Sequence, residues 1–207
     1  MNRGRFIVLE GGEGAGKSTQ VETVAEWLRS QGRDVLCTRE PGGTPLAERI
    51  RGLLIDRENV EMTPECETLL VFAARSQHLQ KHIAPALAAG QDVVSDRFVD
   101  ASYAYQGGGR GIGMDHLDHL ASWICDRIQP DLVLLLDLEP TVGRARAARR
   151  GAADRFEQEA LRFAEKVREV YLERAHQHPE RYAIIDAGQN QEDVRSAVQA
   201  TLEARLK

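Results

Sequence analysis

Phe6-Ile7-Val8-Leu9-Glu10-Gly11-Gly12-Glu13-Gly14-Ala15-Gly16-Lys17-Ser18-Thr19 decides the fold of this 207-residue chain. A short apolar run of strand length leads directly into G-x-x-x-x-G-K-[ST], the pattern of a loop that wraps the phosphates of a nucleoside triphosphate. The glycines let the backbone curl until successive N–H groups point inward, and the helix that follows presents the positive end of its dipole to the same spot. Gly11, Gly12, Glu13, Gly14, Ala15, Gly16, Lys17, Ser18 and Thr19 are therefore expected to bind a nucleoside triphosphate. Lys17 reaches the β- and γ-phosphates, and the Ser18 hydroxyl joins the shell of a Mg²⁺ ion.

Further apolar runs recur at Asp34 to Thr38, Asp92 to Ser95, Leu132 to Asp137 and Tyr182 to Ile185, with helical periodicity between them. Leu132-Val133-Leu134-Leu135-Leu136 has no polar alternation, as a strand covered on both faces requires. The pattern predicts an α/β chain with the P-loop NTPase fold: a five-stranded parallel sheet, helices on both faces and an arginine-rich lid at about 141–156. Thr44-Pro45 and Thr63-Pro64 read as helix starts, and Asp115 reads as the cap of a helix ending near Arg127. A long charged helix is expected from about Glu157 to His176. No repeat, low-complexity tract or linker interrupts the chain, so residues 1–207 read as one domain.

A net charge of −5 argues against DNA or another polyanion as the main partner, so any basic site must be local. Cys37, Cys66 and Cys125 are widely spaced and form no C-x-x-C pair, which points to reduced core residues and to neither a metal site nor a disulfide. The N-terminal run leads straight into the phosphate loop rather than resembling a signal peptide. No stretch reaches the roughly 18 apolar residues of a membrane span, and a soluble, cytoplasmic protein is expected.

Ligands of open α/β sheets bind beyond the carboxyl ends of the strands, and polar residues follow each strand here. Asp96 closes the third strand, where a carboxylate can hold Mg²⁺ opposite Ser18. Arg97 beside it offers a planar fork for phosphate. Arg144, Arg146, Arg149, Arg150 and Arg155 concentrate five cations in one segment of an acidic chain. A lid that delivers such cations to transferring oxygens after substrate binds would accelerate phosphoryl transfer and exclude water. Lys17, Arg97, Arg150 and Arg155 are accordingly the expected catalytic residues.

Together with Gly11 to Ser18, the segments Thr38-Arg39-Glu40-Pro41-Gly42-Gly43-Thr44, Phe72-Ala73-Ala74-Arg75, Asp96-Arg97-Phe98, Ser102 to Gly111 and Asp154-Arg155-Phe156-Glu157 resemble the bacterial thymidylate kinases. The resemblance implies transfer of the γ-phosphate of ATP to dTMP with Mg²⁺, in a homodimer packed through helices. Gly14 in the loop and arginines in the lid match the class in which the lid, not the loop, supplies the catalytic arginine. By the same resemblance Arg75 donates to thymine O4 while Phe72 stacks on the ring, although a spacing of four, common in the family, points to Val71. Glu13 corresponds to the carboxylate at the sugar 3′-hydroxyl, and Tyr105 to the aromatic beneath the deoxyribose. Ser102 and Gln106 correspond to base-edge contacts. Arg51 and Arg97 correspond to acceptor-phosphate ligands oriented by Glu40, Arg39 to a further candidate or a loop brace, and Arg146 to a stacking partner of adenine beside Ala187 to Gln189. The alternatives are a kinase for another nucleotide or a small alcohol, and a GTPase or ATPase switch. No N-K-x-D-like tetrapeptide and no glutamine after a D-x-x-G element supports the switch.

Overall fold

The computed structural model describes residues 3–125, 128–149, 154–157 and 159–206. Five strands, β1 (Phe6–Glu10), β2 (Val35–Arg39), β3 (Asp92–Asp96), β4 (Leu132–Asp137) and β5 (Tyr182–Asp186), form one sheet in the order β2-β3-β1-β4-β5. All neighbours are parallel, with Leu9 opposite both Asp96 and Leu134. Each strand lies within a residue of the run that announces it; β1 and β4 are buried nearly throughout, as strands covered on both faces must be, whereas the edge strands β2 and β5 are partly exposed.

The sheet divides the core in two. Phe6 and Val8 of β1 point to one face, where they pack with Phe72, Phe98, Val167 and Tyr171. Ile7 and Leu9 point to the other, against Val24, Leu28, Val198 and Leu202. The first face is covered by α3 (Pro64–His78), α6 (Met114–Cys125) and α8 (Leu161–Gln177), the second by α1 (Lys17–Ser30) and α9 (Gln191–Leu206). Between them in the chain lie α2 (Pro45–Ile55), α4 (Ala84–Ala88), α5 (Val99–Ser102) and α7 (Pro140–Ala148). Wide π-helical turns at Leu79–Ile83 and Tyr103–Gly109 continue α3 and α5.

Thr44 and Thr63 cap α2 and α3 through their hydroxyls, each accepting from the N–H three residues on, with proline at the first helical position. Two helix boundaries differ from expectation. Asp115 is not a cap: α6 begins at Met114, and Asp115 sits inside the first turn, where its charge faces the helix dipole. The charged helix begins at Leu161, not Glu157, because the Asp154 carboxylate accepts from the N–H groups of Phe156 and Glu157 and holds them in a turn. Arg127 lies outside the described residues.

Candidate active site

The phosphate loop connects β1 to α1 at the carboxyl edge of the sheet. Gly14 and Gly16 adopt left-handed backbone (φ 74° and 86°). A Cβ at Gly14 would lie 2.3 Å from the carbonyl oxygen of Gly143 in α7, so the loop and the lid helix meet backbone to backbone. A side chain at this loop position has no room, so the loop itself carries no arginine there. Lys17 is buried and donates to the carbonyls of Gly11 (3.0 Å) and Gly12 (2.8 Å), bridging the loop it follows. Burial first, and then the charge of Arg97, pushes its ammonium below the ordinary lysine range. Ser18 Oγ donates to Asp96 Oδ2 at 3.1 Å, while Asp96 Oδ1 is buried with no hydrogen-bond partner.

Two cavities adjoin this loop. A polar cleft of about 830 Å³, open to solvent, is lined by Lys17, Ser18, Thr19, Arg39, Asp96 and Arg97 among others. A more apolar cavity of about 570 Å³ is lined by Val71, Arg75, Ala101, Ser102, Tyr105, Gln106 and Phe156. Glu13, Glu40, Arg51, Arg97 and Asp154 line both, so the two meet at a pair of arginines. Arg97 is the centre of that junction. Its Nη2 donates to Glu13 (3.0 Å) and to the Tyr105 hydroxyl (2.8 Å), and its Nε is buried and unpaired. Its backbone has φ 71°, unique among the described non-glycine residues and tied down by its N–H to Leu9 O and by Ser95 Oγ donating to its carbonyl. Arg51 donates to Pro41 O at 3.1 Å, and burial together with Arg39 and Arg97 pushes its guanidinium below its usual range, a cation in want of an anion. Arg39 pairs with Glu48 (2.8 Å), whose other oxygen takes the Gly43 N–H, so Arg39 braces its loop while lining the cleft.

At the far end of the second cavity Arg75 is almost wholly buried. Nε donates to Glu40 (2.7 Å), Nη1 to Ser102 Oγ (2.8 Å) and Nη2 to Phe98 O (2.9 Å). Although burial pushes the Glu40 carboxyl up, Arg75 and His78 outweigh it and hold Glu40 below its usual range. Glu40 was expected to orient Arg51 and Arg97; its carboxylate instead holds Arg75 and His78 Nδ1 (3.1 Å). Phe72 is also misplaced by the sequence reading. It belongs to the core beneath Arg75, 4.8 Å from ring centroid to guanidinium, and Val71 forms the cavity wall. The reason is helical: Glu67, Val71, Arg75 and His78 follow one another at spacings of four, four and three on one face, and Phe72 lies a further 100° or so around the helix.

The lid segment distributes its arginines. Arg146 donates to Ala187 O (2.8 Å), which brings it to the turn after β5 as expected. Arg144 donates to Glu159 O. Arg155 does not reach the phosphate cleft: it is buried, donates from Nε to Leu54 O (2.9 Å) and forms a close ion pair with Glu67. A buried carboxylate within reach wins over an open cleft. Arg150 lies outside the described residues.

A thymidylate kinase family model matches residues 9–198 of this chain. The chain belongs to the thymidylate kinase family. The thymidylate kinase of Ectopseudomonas mendocina (strain ymp) is 55% identical over 204 residues, which cover 99% of this chain and 97% of that protein. That of Alkalilimnicola ehrlichii is 55% identical over 203 residues, 98% of this chain and 94% of the relative. The crystal structure of thymidylate kinase from Ehrlichia chaffeensis superposes with a TM-score of 0.80 at 30% identity, over 97% of this chain and 99% of that one.

In this member of the thymidylate kinase family the residues that sequence reasoning missed are the buried ionisable groups behind the site. Glu67 and His78 share the Arg75 face of α3, and ionisable residues on an apolar helical face were the available signal. Glu10, at the end of β1, accepts from Phe98 N (2.8 Å) and Tyr171 Oη (2.7 Å). Burial and then Asp100 push its carboxyl up to about 8. The folded protein therefore holds a proton that the unfolded chain, near 4.5, releases, and the stability this contributes below pH 4.5 is lost as pH rises to about 8. Glu10→Gln is expected to flatten that slope, gaining on the order of a few kcal/mol over the parent between pH 5 and pH 9 in urea denaturation. Parallel profiles for the two proteins would rule it out.

Proposed function

We infer that this chain transfers the γ-phosphate of ATP to dTMP, giving dTDP and ADP. The observation that carries the reading is the pair of joined cavities: a phosphate-loop cleft and a base-sized apolar cavity that share Arg51 and Arg97 at their junction. With ATP in the first and a nucleoside monophosphate in the second, the acceptor phosphate lies at those arginines, in line with the donor. Thymine O4 accepts hydrogen bonds where cytosine presents an amino donor, and Arg75, which can only donate, suits the former. Val71 packs on the ring. Tyr105 lies under the deoxyribose, Glu13 at its 3′-hydroxyl, and Ser102 and Gln106 at the base edge.

The acceptor needs no general base, since a phosphate monoester with a second pKa near 6 is largely dianionic at neutral pH. Lys17 and Arg97 neutralise charge at the reacting oxygens, and Arg150 is the lid arginine assigned to them. Arg146 lies at the adenine. Ser18 and Asp96 suit Mg²⁺: the unpartnered Asp96 Oδ1 and the adjoining hydroxyl offer oxygen donors to an ion that takes its remaining ligands from phosphate and water. Bound there, Mg²⁺ would supply charge neutralisation of the β- and γ-oxygens.

A homodimer is supported by large apolar side chains exposed on helices that pack in series: Leu53 of α2, Leu69 of α3 and Trp123 of α6, the last 78% exposed. A sedimentation mass of one chain would sink this assignment. No helix among the described residues is long and apolar enough to cross a membrane. Of the three cysteines expected in the core only Cys125 is buried, Cys37 being half-buried and Cys66 exposed on the first turn of α3; three free thiols suit a reducing cytoplasm.

The test is ADP formation from ATP and Mg²⁺ with dTMP, dUMP, dCMP, dGMP, UMP or no acceptor. Fast turnover with dTMP, weaker with dUMP and near background elsewhere is expected. ADP released without an acceptor would mark an ATPase, and turnover only with another compound would replace the acceptor.

A further inference from the structure

Glu67 on α3 is 1% exposed and lies outside every residue set assigned above to ATP or dTMP, yet three side chains converge on it. Gln106 Nε2 donates to Oε1 (2.8 Å), Arg110 Nε to Oε2 (3.0 Å), and Arg155 closes on Oε2. Paired with the partly buried Arg110 and the buried Arg155, Glu67 meets them as a carboxylate, and a carboxylate only accepts. It therefore cannot face the carbonyl of a glutamine amide. The NH₂ end of Gln106 must turn to Glu67, which leaves Oε1 for the acceptor cavity that Gln106 lines with Arg75 and Ser102. In most proteins the amide of a glutamine can be reversed at little cost; here the reversal would set two lone-pair groups against each other in a buried site.

We propose that Glu67 is a positioning residue for base selection, fixing the Gln106 amide so that its oxygen faces the nucleobase. The edge offered to the base is then one acceptor, Gln106 Oε1, beside one donor, the Arg75 guanidinium. Thymine and uracil present a donor at N3 and an acceptor at O4, the complement of that pair. Cytosine presents an acceptor at N3 and a donor at N4, so both contacts turn repulsive. The inference rests on the dTMP reading of the site. Glu67 also holds the lid over the same cavity, because Arg155 stacks on Phe156 (4.7 Å) and Phe156 meets Tyr105 edge to face (6.0 Å) at the cavity wall.

The test compares Glu67→Gln with the parent by the ratio of dCMP to dTMP dissociation constants and by kcat and KM for dTMP. Glutamine can donate as well as accept, so the Gln106 amide is released to turn either way. The ratio is expected to fall about tenfold, with the KM for dTMP rising severalfold and the KM for ATP unchanged within about twofold. The same substitution in a Gln106→Ala background separates positioning from packing. There the ratio should no longer respond, since the group through which Glu67 acts is gone. An unchanged ratio in Glu67→Gln, or the same fall in both backgrounds, overturns the proposal. Should Glu67→Gln fail to fold, Glu67→Asp keeps the charge for Arg110 and Arg155 while withdrawing the oxygen from Gln106, and must lower the ratio in the same direction. A parent protein that does not phosphorylate dTMP would refute the functional reading itself, whereas a parent that does, with variants of unaltered selectivity, refutes only the role of Glu67.

Discussion

Arg97→Gly is expected to lower kcat with dTMP by about 10³-fold or more, the range in which an arginine on a transferring phosphoryl group acts. That corresponds to about 4 kcal/mol of transition-state stabilisation. The guanidinium is one of the two, with Arg51, that line both the phosphate-loop cleft and the apolar cavity, and its Nε has no partner among the described residues. Binding of substrate phosphate there satisfies a buried donor, so the loss should appear in kcat as well as in the KM for dTMP. Stability separates this from general damage. At φ 71° a side chain costs on the order of 1 kcal/mol that glycine does not incur. The glycine variant should therefore be more stable than Arg97→Ala by about that amount while being equally inactive. Equal stabilities in urea denaturation would mean that the backbone at this position is unstrained. A kcat within tenfold of the parent would remove Arg97 from the transfer step.

Arg75→Leu is expected to cost about 3 to 5 kcal/mol of stability, chiefly through what it leaves behind. Glu40 is buried beneath the acceptor cavity and kept ionised by Arg75 and His78. With the guanidinium gone it must take up a proton or stay charged in a poor medium, and Ser102 Oγ and the Phe98 carbonyl lose a donor as well. Replacing both partners, Arg75→Leu with Glu40→Gln, should recover much of the loss, since no uncompensated charge remains. Denaturation of the parent, the single variants and the double variant checks this. Additive losses would show that the two side chains do not act as a pair. Selection of dTMP over dCMP should fall in both variants lacking Arg75, irrespective of recovered stability, because the donor proposed for O4 is absent from each.

The parts of this protein legible in the sequence are those whose cause lies within a few residues. β1 and β4 are apolar runs because they are covered on both faces, shorter apolar stretches mark β2, β3 and β5, and the phosphate loop is a local arrangement of glycines and a lysine ahead of a helix. Thr44 and Thr63 cap their helices with hydroxyls three residues from the groups they serve. Asp96 facing Ser18, and Arg146 reaching the turn after β5, follow from the rule that loops at the carboxyl edge of a parallel sheet converge.

What only the tertiary structure decided is the pairing of charges drawn from distant segments. Glu67 meets Gln106, Arg110 and Arg155, which lie 39, 43 and 88 residues further along the chain, and Glu40 takes Arg75 and His78 rather than the phosphate arginines. No local rule says which arginine of a lid will find a buried carboxylate, because in a buried site the outcome turns on ångström distances and on which groups have lost water. For the same reason the sequence names Phe72 and Arg75 together, while the rotation of α3 against the sheet sends Phe72 into the core and turns Val71 to the apolar cavity. Composition and periodicity determine which elements form and where the site must lie; packing determines which side chains within it face the substrate.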